Sequence, residues 1–233
     1  LLPDMEEAVQ RICRAVQEKR RLRIVGDYDI DGVCSTAILY KGFKRIGACA
    51  DYVIPERIRD GYGINEHIIE AAAADGIQTI VTCDNGIAAI SQIALAKELG
   101  LEVIITDHHD IQTNEETGED LMPPADVIVN PKRRDSRYPW PEICGAMVVF
   151  KLVGALYEAY GISRKEWLEL LELAAIATVG DVMKLKDENR IVVKEGLKRL
   201  AVTGNPGLKS LIYKNALDPA NISAYHIGFV LGP

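Results

Sequence analysis

The sequence predicts an α/β fold, in which a mainly parallel five-stranded sheet is flanked by helices and is followed by a helical C-terminal part. Short apolar runs alternate with helical patterns over roughly the first 130 residues, and such alternation with short loops is typical of a parallel sheet wound by helices. From Cys144 onward the strand-like runs disappear. We therefore divide the chain into a sheet core, residues 1–142, and a helical part, residues 143–233, that completes the same domain.

The helices of the sheet core are predicted from apolar side chains that recur every three or four positions. The leading helix shows this spacing, and so does the helix that follows Gly32 and ends before Gly47. Asn65 is the expected N-cap of the third helix, because its side chain can accept a backbone hydrogen bond there. The predicted helices cover residues 4–20, 33–46, 66–74 and 87–99.

Short apolar runs bounded by turn residues predict the strands. They cover residues 22–25, 50–54, 78–83, 102–106 and 127–129. In the C-terminal part, three helical patterns cover residues 145–160, 165–178 and 189–202. Residues 173–179 of the second pattern contain no polar side chain except Thr178, so the end of that helix should be buried on all sides.

The composition is typical of a soluble chain, with 233 residues, of which 48% are hydrophobic and 26% are charged. No apolar run approaches the ~20 residues of a spanning helix, so we expect no membrane contact and a cytoplasmic location. The five cysteines contain no C-x-x-C pair and predict reduced, buried thiols. The net charge of -7 argues against a nucleic-acid surface, unless several carboxylates belong to a metal site.

Three aspartates at alternate positions, Asp27, Asp29 and Asp31, follow the first predicted strand and precede Gly32. Like charges this close raise one another's pKa unless a positive charge lies among them, and hard divalent cations prefer such oxygen ligands. The same pattern opens a calcium-binding EF-hand loop, but its final ligand position is Ile38 instead of glutamate. We therefore expect a divalent-cation site, with a solvated acidic turn as the simpler alternative.

Further metal-ligand side chains follow other predicted elements. Asp84 follows the third strand, and Asp107, His108 and His109 follow the fourth. Because parallel strands point the same way, these side chains should gather at one edge of the sheet. Asp181 ends a buried helix, where the helix dipole and desolvation both disfavour a carboxylate. A cation would compensate for both effects.

This donor set is larger than one catalytic ion needs, and it suits two ions bridged by a carboxylate, which support in-line displacement at phosphorus. Oxygen donors mixed with imidazoles favour manganese or magnesium over metals that prefer thiolates. Gly-x-Gly-x-x-Gly and P-loop motifs are absent from the sequence, so no nucleotide cofactor is expected. The basic stretch Lys132-Arg133-Arg134 with Arg137 could contact phosphate, but a solvated turn is the favoured interpretation.

Four motifs resemble those of the DHH phosphoesterase superfamily in order and spacing. They are Asp27-Tyr28-Asp29-Ile30-Asp31-Gly32, Asp84-Asn85-Gly86, Asp107-His108-His109 and Val179-Gly180-Asp181. The chain is further similar to the RecJ branch in Ile54-Pro55-x-Arg57, Asp60-Gly61-Tyr62-Gly63 and Ile227-Gly228-Phe229-x-Leu231-Gly232-Pro233. The likeness covers nearly the whole chain and implies a 5′-to-3′ single-stranded-DNA exonuclease of recombination and repair.

The resemblance implies a role for each matching residue. Two manganese or magnesium ions would be held by Asp27, Asp29, Asp84, His108 and Asp181, with Asp84 as the bridge. The catalytic residues would be His109, at the scissile phosphate, with Asp107 and Asp31 in support. The substrate path would include Arg57, Tyr62 and Asn85. Single-stranded DNA is the expected partner, replication and repair proteins are candidate partners, and a monomer is expected.

Two departures from the family pattern affect these expectations. Some superfamily members place a metal-binding histidine shortly before the first motif, where this chain has Arg23, Ile24 and Val25. The sequence stops at Gly232-Pro233, where the RecJ pattern continues into a basic motif and a second domain, so we expect a fragment.

Two alternative functions remain open at this point. One is a DHH enzyme acting on small substrates (nanoRNA or pAp, cyclic dinucleotides, pyrophosphate), and the other is a non-catalytic DHH scaffold.

Overall fold

The computed structural model describes residues 2–58 and 61–232 and confirms the predicted α/β fold. In the part of the chain that it describes, five strands form one sheet in the order β2-β1-β3-β4-β5, and each neighbouring pair is parallel. The strands are β1 (Arg21–Val25), β2 (Cys49–Val53), β3 (Thr79–Cys83), β4 (Glu102–Thr106) and β5 (Val127–Val129). Their carboxyl ends lie along one edge, as predicted. Asp60 and Pro233, which belong to two of the sequence motifs, lie outside the described residues.

Helices precede, connect and follow the strands. Those of the sheet core are α1 (Met5–Gln17), α2 (Ile30–Arg45), α3 (Glu66–Ala74) and α4 (Ile90–Glu98). The helical part contains α5 (Gly145–Ala159), α6 (Arg164–Leu168), α7 (Leu171–Gly180), α8 (Asp187–Leu200) and α9 (Pro206–Lys214), then short helical turns over Pro219–Asn221, Ala224–His226 and Ile227–Leu231. Among the helices of the described residues, none is both long enough and apolar enough to cross a membrane.

The sheet is covered on both faces, as parallel sheets usually are. Successive side chains of a strand point to opposite faces, so Val81 packs with α1, α2 and α5, whereas Ile80 packs with α3 and α4. All five residues of the central strand β3 are buried. Residues of α5 and α7 belong to the same core as those of α2, so the helical part extends the core over one face of the sheet. The division at residue 142 stays a prediction.

One predicted helix, residues 165–178, is two helices in the structure. α6 ends at Leu168 and α7 begins at Leu171. Trp167 accounts for the break, because its indole nitrogen donates a hydrogen bond to the carbonyl oxygen of Phe150 (2.8 Å) and its ring stacks on the Phe150 ring with centroids 4.5 Å apart. These contacts hold α6 against α5, whereas α7 packs against α2, α5 and α8.

Two smaller differences also have local causes. α9 is missing from the sequence prediction, although Asn205-Pro206 carries a start signal: the Asn205 side chain accepts hydrogen bonds from Gly207 N and Leu208 N, and proline fits the first helical position. The five cysteines are all free thiols, but Cys49 is exposed and Cys13 is only partly buried, whereas burial is predicted for both. The reason is that Cys49 opens β2, which lies at an edge of the sheet.

The packing of α7 against α8 depends on Gly196. A Cβ atom at this position would lie 2.2 Å from Ala175 Cβ and 3.0 Å from the carbonyl oxygen of Leu171, which leaves no room for a side chain. Leu171 begins α7 and Gly196 lies near the end of α8, so the two helices run antiparallel. This contact orients α7, which carries Asp181 at its C-terminal cap.

We expect Gly196→Ala to destabilise the fold by about 1–3 kcal/mol, the usual cost of overpacking a core, even though alanine favours a helix over glycine by up to ~1 kcal/mol. Urea denaturation of the metal-free protein measures the difference. The matched control is Gly204→Ala, because no atom of the described residues lies within 4 Å of a Cβ at that position. Equal stability of the two variants would contradict the close contact.

Candidate metal centre

Eight acidic and imidazole side chains meet at the carboxyl edge of the sheet, where the sequence predicts them. We call this cluster the acidic edge; its members are Asp27, Asp29, Asp31, Asp84, Asp107, His108, His109 and Asp181. Ligand atoms lie within 4.8 Å of one another in three groups: Asp27 with Asp29 and Asp84, Asp84 with His108 and His109, and Asp31 with His108 and Asp181. Asp84 and His108 each belong to two groups, so the groups form one continuous set.

Most of the predicted metal ligands present buried polar atoms that no described residue satisfies. Among the described residues, no hydrogen-bond partner is found for both carboxylate oxygens of Asp27 and Asp84, both ring nitrogens of His108 and one oxygen of Asp181. His108 Nε2 lies 3.1 Å from Asp84 Oδ1 and 3.7 Å from Asp181 Oδ2. Buried polar groups are normally hydrogen-bonded, so this cluster fits cations that accept carboxylate and imidazole ligands.

The pKa values of these side chains also indicate that negative charge is crowded at the acidic edge. Burial, with the charges of Asp31 and Asp29, raises the pKa of Asp84 to about 12. The same causes raise the pKa of Asp181 to about 7, and burial raises the pKa of Asp27. Burial lowers the pKa of His108 and favours its neutral form, the form that binds metal. A divalent cation among these carboxylates would offset their mutual repulsion and favour their ionised forms.

Asp29 differs from the other predicted ligands because it is exposed. Its Oδ1 accepts a hydrogen bond from Gly32 N (2.8 Å) and caps the N-terminus of α2. The cap fixes the orientation of the carboxylate and leaves its second oxygen available beside Asp27 and Asp84. The residue therefore joins the start of α2 to the candidate metal centre.

Asp31 supports the centre through helix α5. This fully buried carboxylate accepts hydrogen bonds from Gly145 N (2.6 Å) and Ala146 N (2.7 Å), the first two residues of α5. It thereby satisfies two amides that an α-helix leaves without an internal partner. Asp31 also lies 3.6 Å from His108 Nε2. This geometry agrees with the predicted supporting role, which stays a prediction as regards catalysis.

Asp107 holds His109 in place. Its Oδ1 accepts hydrogen bonds from His108 N (2.7 Å), His109 N (3.1 Å) and the His109 ring at Nδ1 (2.7 Å), and its Oδ2 accepts one from Ile87 N (2.9 Å). Although burial opposes ionisation, the hydrogen bonds from His109 and the backbone keep the Asp107 pKa below its usual range. The bond to Asp107 in turn raises the pKa of His109. The His109 side chain is 43% exposed and can therefore meet a substrate.

One predicted substrate residue, Tyr62, lies beside this histidine, and a second, Arg57, is connected to Tyr62 through the ring of Tyr28. The Tyr62 hydroxyl donates a hydrogen bond to the carbonyl oxygen of Asp84 (3.0 Å) and lies 3.1 Å from His109 Nε2. Arg57 stands over the Tyr28 ring, 5.5 Å from its centroid, and the Tyr28 and Tyr62 rings meet edge to face at 6.4 Å. A cation and two aromatic rings thus border the acidic edge, which agrees with the predicted substrate path.

The third predicted substrate residue, Asn85, is buried and its side chain is fully engaged. Its Nδ2 donates to the carbonyl oxygens of Val25, Gly26 and Cys83 at 2.9–3.0 Å, and its Oδ1 accepts from Ile64 N (3.2 Å). This geometry argues against the predicted substrate contact. Asn85 instead ties the end of β1 to the end of β3, so it positions the loops that carry the acidic edge.

Gly145 is a functional position that the sequence interpretation missed. A Cβ atom there would lie 2.7 Å from both Asp84 Cβ and Asp84 Oδ1, so the start of α5 packs directly on the central carboxylate. The signal available in the sequence was Cys144 at the N-cap, a position that usually holds serine, threonine, aspartate or asparagine. In the structure its side chain makes no capping hydrogen bond. A helix start without a capping side chain indicates that its amides are satisfied from elsewhere, here by Asp31.

The favoured interpretation of the basic stretch, a turn, agrees with the structure. Lys132 pairs with Asp110 (2.9 Å), Arg133 pairs with Asp4 and Asp135, and Arg134 pairs with Asp120. These ion pairs tie the segment after β5 to neighbouring loops. The basic groups of Lys132, Arg133 and Arg134 are therefore committed to carboxylates of this chain.

The chain resembles known proteins along its whole length. A family model described as "DHH family, N-terminal domain" matches residues 21–178. The chain is 41% identical over 229 residues to the single-stranded-DNA-specific exonuclease RecJ of Bacillus subtilis (strain 168), a match that covers 98% of this chain and 28% of that protein. It is 37% identical over 243 residues to RecJ of Salmonella typhimurium, covering 100% of this chain and 41% of that protein.

A solved structure of a RecJ exonuclease is also similar to this chain. The crystal structure of exonuclease RecJ bound to manganese matches with a TM-score of 0.86 at 32% identity, and the match covers 100% of this chain and 56% of that chain. The fold of the described residues is thus that of a RecJ exonuclease. The chain spans less than two thirds of the length of each of these relatives.

We expect Asp84→Asn to have opposite effects with and without a divalent cation. The metal-free variant should melt higher at neutral pH, because a carboxyl whose pKa is raised to about 12 must take up a proton on folding, a cost that asparagine does not carry. Each kcal/mol gained raises the melting temperature by about 2–4 °C at this size. Asparagine tolerates the left-handed backbone of Asp84 (φ 62°). The rise in melting temperature on adding manganese chloride should disappear, because a central anionic ligand is lost.

Calorimetric titration with manganese checks the second effect directly. The control is Asp110→Asn, which removes an exposed carboxylate paired with Lys132 outside the cluster and should leave manganese binding intact. Two ions bound by the Asp84 variant with unchanged affinity would show that Asp84 is not the central ligand.

We also expect Gly145→Ala to weaken manganese binding by about 10- to 100-fold, the usual effect of displacing a group that orients a metal ligand. The helix itself should tolerate alanine, which favours helices, so the metal-free variant should stay folded by circular dichroism. Gly228→Ala is the control, because the nearest atom to a Cβ there is Val179 Cγ1 at 3.9 Å. Equal affinities of the two variants would refute the packing of α5 on Asp84.

Proposed function

This chain belongs to the DHH family, and we propose that it hydrolyses phosphodiester bonds of single-stranded DNA from the 5′ end, as an exonuclease of RecJ type in recombination and repair. The observation that carries the proposal is the acidic edge, in which buried ligand atoms of Asp27, Asp84, His108 and Asp181 have no hydrogen-bond partner among the described residues. The likeness to RecJ exonucleases supports the substrate class. Because the chain spans 28% and 41% of the two RecJ relatives, the activity of the whole protein is part of the proposal.

The proposed cofactor is a pair of manganese or magnesium ions held by Asp27, Asp29, Asp84, His108 and Asp181. The support is the chemistry of this donor set and the manganese in the matching RecJ crystal structure. Asp84 belongs to two of the ligand groups, which favours it as the bridge. When bound, such ions activate water and stabilise the charge that develops at phosphorus.

The remaining side chains have roles that follow from their positions. His109 is held by Asp107 and is partly exposed. Its Nε2, which lies 3.1 Å from the Tyr62 hydroxyl, would donate a hydrogen bond to a phosphoryl oxygen. Its raised pKa favours the protonated donor form. Arg57 and Tyr62 offer a charge and an aromatic surface, which together bind single strands without regard to sequence.

The non-catalytic scaffold is the less favoured alternative. A scaffold has no need for buried carboxylates with strongly raised pKa values, whereas such clusters mark working sites. For an enzyme acting on small substrates, no feature of the described residues gives specific support. The cytoplasmic location, the monomeric state and the contacts with replication and repair proteins that the sequence predicts stay part of the proposal.

The test is digestion of single-stranded and duplex oligonucleotides of one sequence, labelled at either end, with and without manganese. We expect manganese-dependent release of mononucleotides from the 5′ end of the single strand, little attack on the duplex, and no activity in Asp84→Asn. The same assay includes pAp and pyrophosphate. Faster turnover of either compound than of DNA would replace the proposal with an enzyme of small substrates.

For His109→Ala we expect a different result from that of a ligand variant. Manganese affinity by calorimetry should be retained, and the cleavage rate should fall by about 10²–10³, the usual effect of losing one preorganised donor. The control is His67→Ala, which alters an exposed histidine on α3. If His109→Ala loses manganese as readily as His108→Ala does, the two histidines have been assigned the wrong way round.

A further inference from the structure

Helix α8 carries a line of four basic side chains, which we call the basic ridge: Lys186, Arg190, Lys194 and Lys198. Lys186 is the N-cap residue of α8 and the others follow at intervals of four. All four are exposed. Residues four apart are neighbours on a helix surface, so the ridge is continuous, with a step of about 6 Å and a length of about 18 Å along the axis.

The ridge combines regular spacing with charges that are largely unpaired among the described residues. Acidic residues outnumber basic ones, 34 to 27, and several basic groups elsewhere are paired, as with Arg11 to Glu102 (2.8 Å). In the described part of the chain, Lys186, Arg190 and Lys194 make no ion pair, and only Lys198 has a partner, Glu195 (2.7 Å). The ridge therefore keeps a positive potential on an otherwise acidic protein.

The ridge begins close to the acidic edge. Lys186 follows the candidate ligand Asp181 by five positions, and α8 then runs antiparallel to α7, away from the edge. The segment that connects α7 to α8 is held in place by hydrogen bonds, because Asn189 Nδ2 donates to the carbonyl oxygens of Lys184 (3.1 Å) and Glu142 (2.6 Å). Asn189 itself is fully buried. The start of the ridge is thus held in a fixed position relative to the metal centre.

We propose that the basic ridge binds the sugar-phosphate backbone of a single strand whose end lies at the acidic edge. This proposal rests on the proposed function and adds a second contact region to it. Cations at regular intervals suit a polymer whose negative charges also recur at regular intervals, and successive phosphates of an extended strand are separated by a similar distance. Contacts of this kind position the strand without reading its bases, as an exonuclease that passes along any sequence requires.

The test compares two triple variants with equal changes of charge. The ridge variant is Lys186→Gln, Arg190→Gln, Lys194→Gln. The control is Arg14→Gln, Lys41→Gln, Lys165→Gln, which removes one arginine and two lysines that are also exposed, on α1, α2 and α6. Binding of oligothymidylates of about 4 and about 16 nucleotides, lengths typical of single-strand sites, is followed by fluorescence anisotropy at several salt concentrations.

We expect the ridge variant to bind the long strand at least about tenfold more weakly at low salt, with the slope of log K against log salt reduced by about 2, since each phosphate contact on a single strand contributes about 0.7. Binding of the short strand, manganese affinity and hydrolysis of bis(p-nitrophenyl) phosphate should be unchanged. Equal losses in the ridge and control variants would overturn the proposal. So would tighter binding of poly-glutamate than of DNA by the parent protein, because that result would assign the ridge to an acidic protein segment.

These measurements also separate this proposal from the proposed function. If the parent protein binds long strands through the ridge but releases no nucleotide with manganese, the exonuclease proposal fails and the ridge stands. If the parent protein digests DNA normally, and the ridge variant binds and digests long strands as well as the control variant does, then the ridge proposal fails and the exonuclease proposal stands.

Discussion

Repulsion among buried carboxylates at one edge of the sheet is the constraint on which this structure depends. Asp27, Asp31 and Asp84 are almost fully buried, and desolvated carboxylates disfavour the charged form. Asp31 is compensated by the first amides of α5, whereas Asp27 and Asp84 find no hydrogen-bond partner among the described residues. A divalent cation is the natural counter-charge, and the fold can be understood as a frame that holds these groups together for it.

Helix ends contribute to this electrostatic arrangement as much as strand ends do. The N-terminus of α5, which carries partial positive charge, lies against Asp31 and leaves space for Asp84 only because residue 145 is glycine. The C-terminus of α7, which carries partial negative charge, carries Asp181 at its cap. One helix end thus offsets the negative charge of the cluster, and the other adds to it.

Two adjacent histidines divide the chemistry of the centre between binding and donation. His108 is buried and its pKa is lowered by burial, which suits a neutral ligand. His109 is partly exposed, and the bond to Asp107 raises its pKa, which suits a hydrogen-bond donor to an anionic substrate. The different environments arise because neighbouring residues past a strand end point to different sides of the chain. A single Asp-His-His segment therefore provides both a ligand and a donor.

The sequence by itself determined the order of strands and helices along the sheet core and the positions of the five candidate ligands at its carboxyl edge, because both are local. An apolar run marks each strand, and the ligand or its neighbours follow that run directly, as Asp84 follows β3. Parallel strands then bring these positions to one edge whatever the distance between them in sequence. Only the tertiary structure decided the break between α6 and α7, the burial of Asn85 and the need for glycine at position 145. Each of these depends on a contact between residues far apart in the chain: Trp167 with Phe150, Asn85 with Val25, and Gly145 with Asp84. Local pattern carries no record of such contacts, since they exist only once the strands and helices have packed.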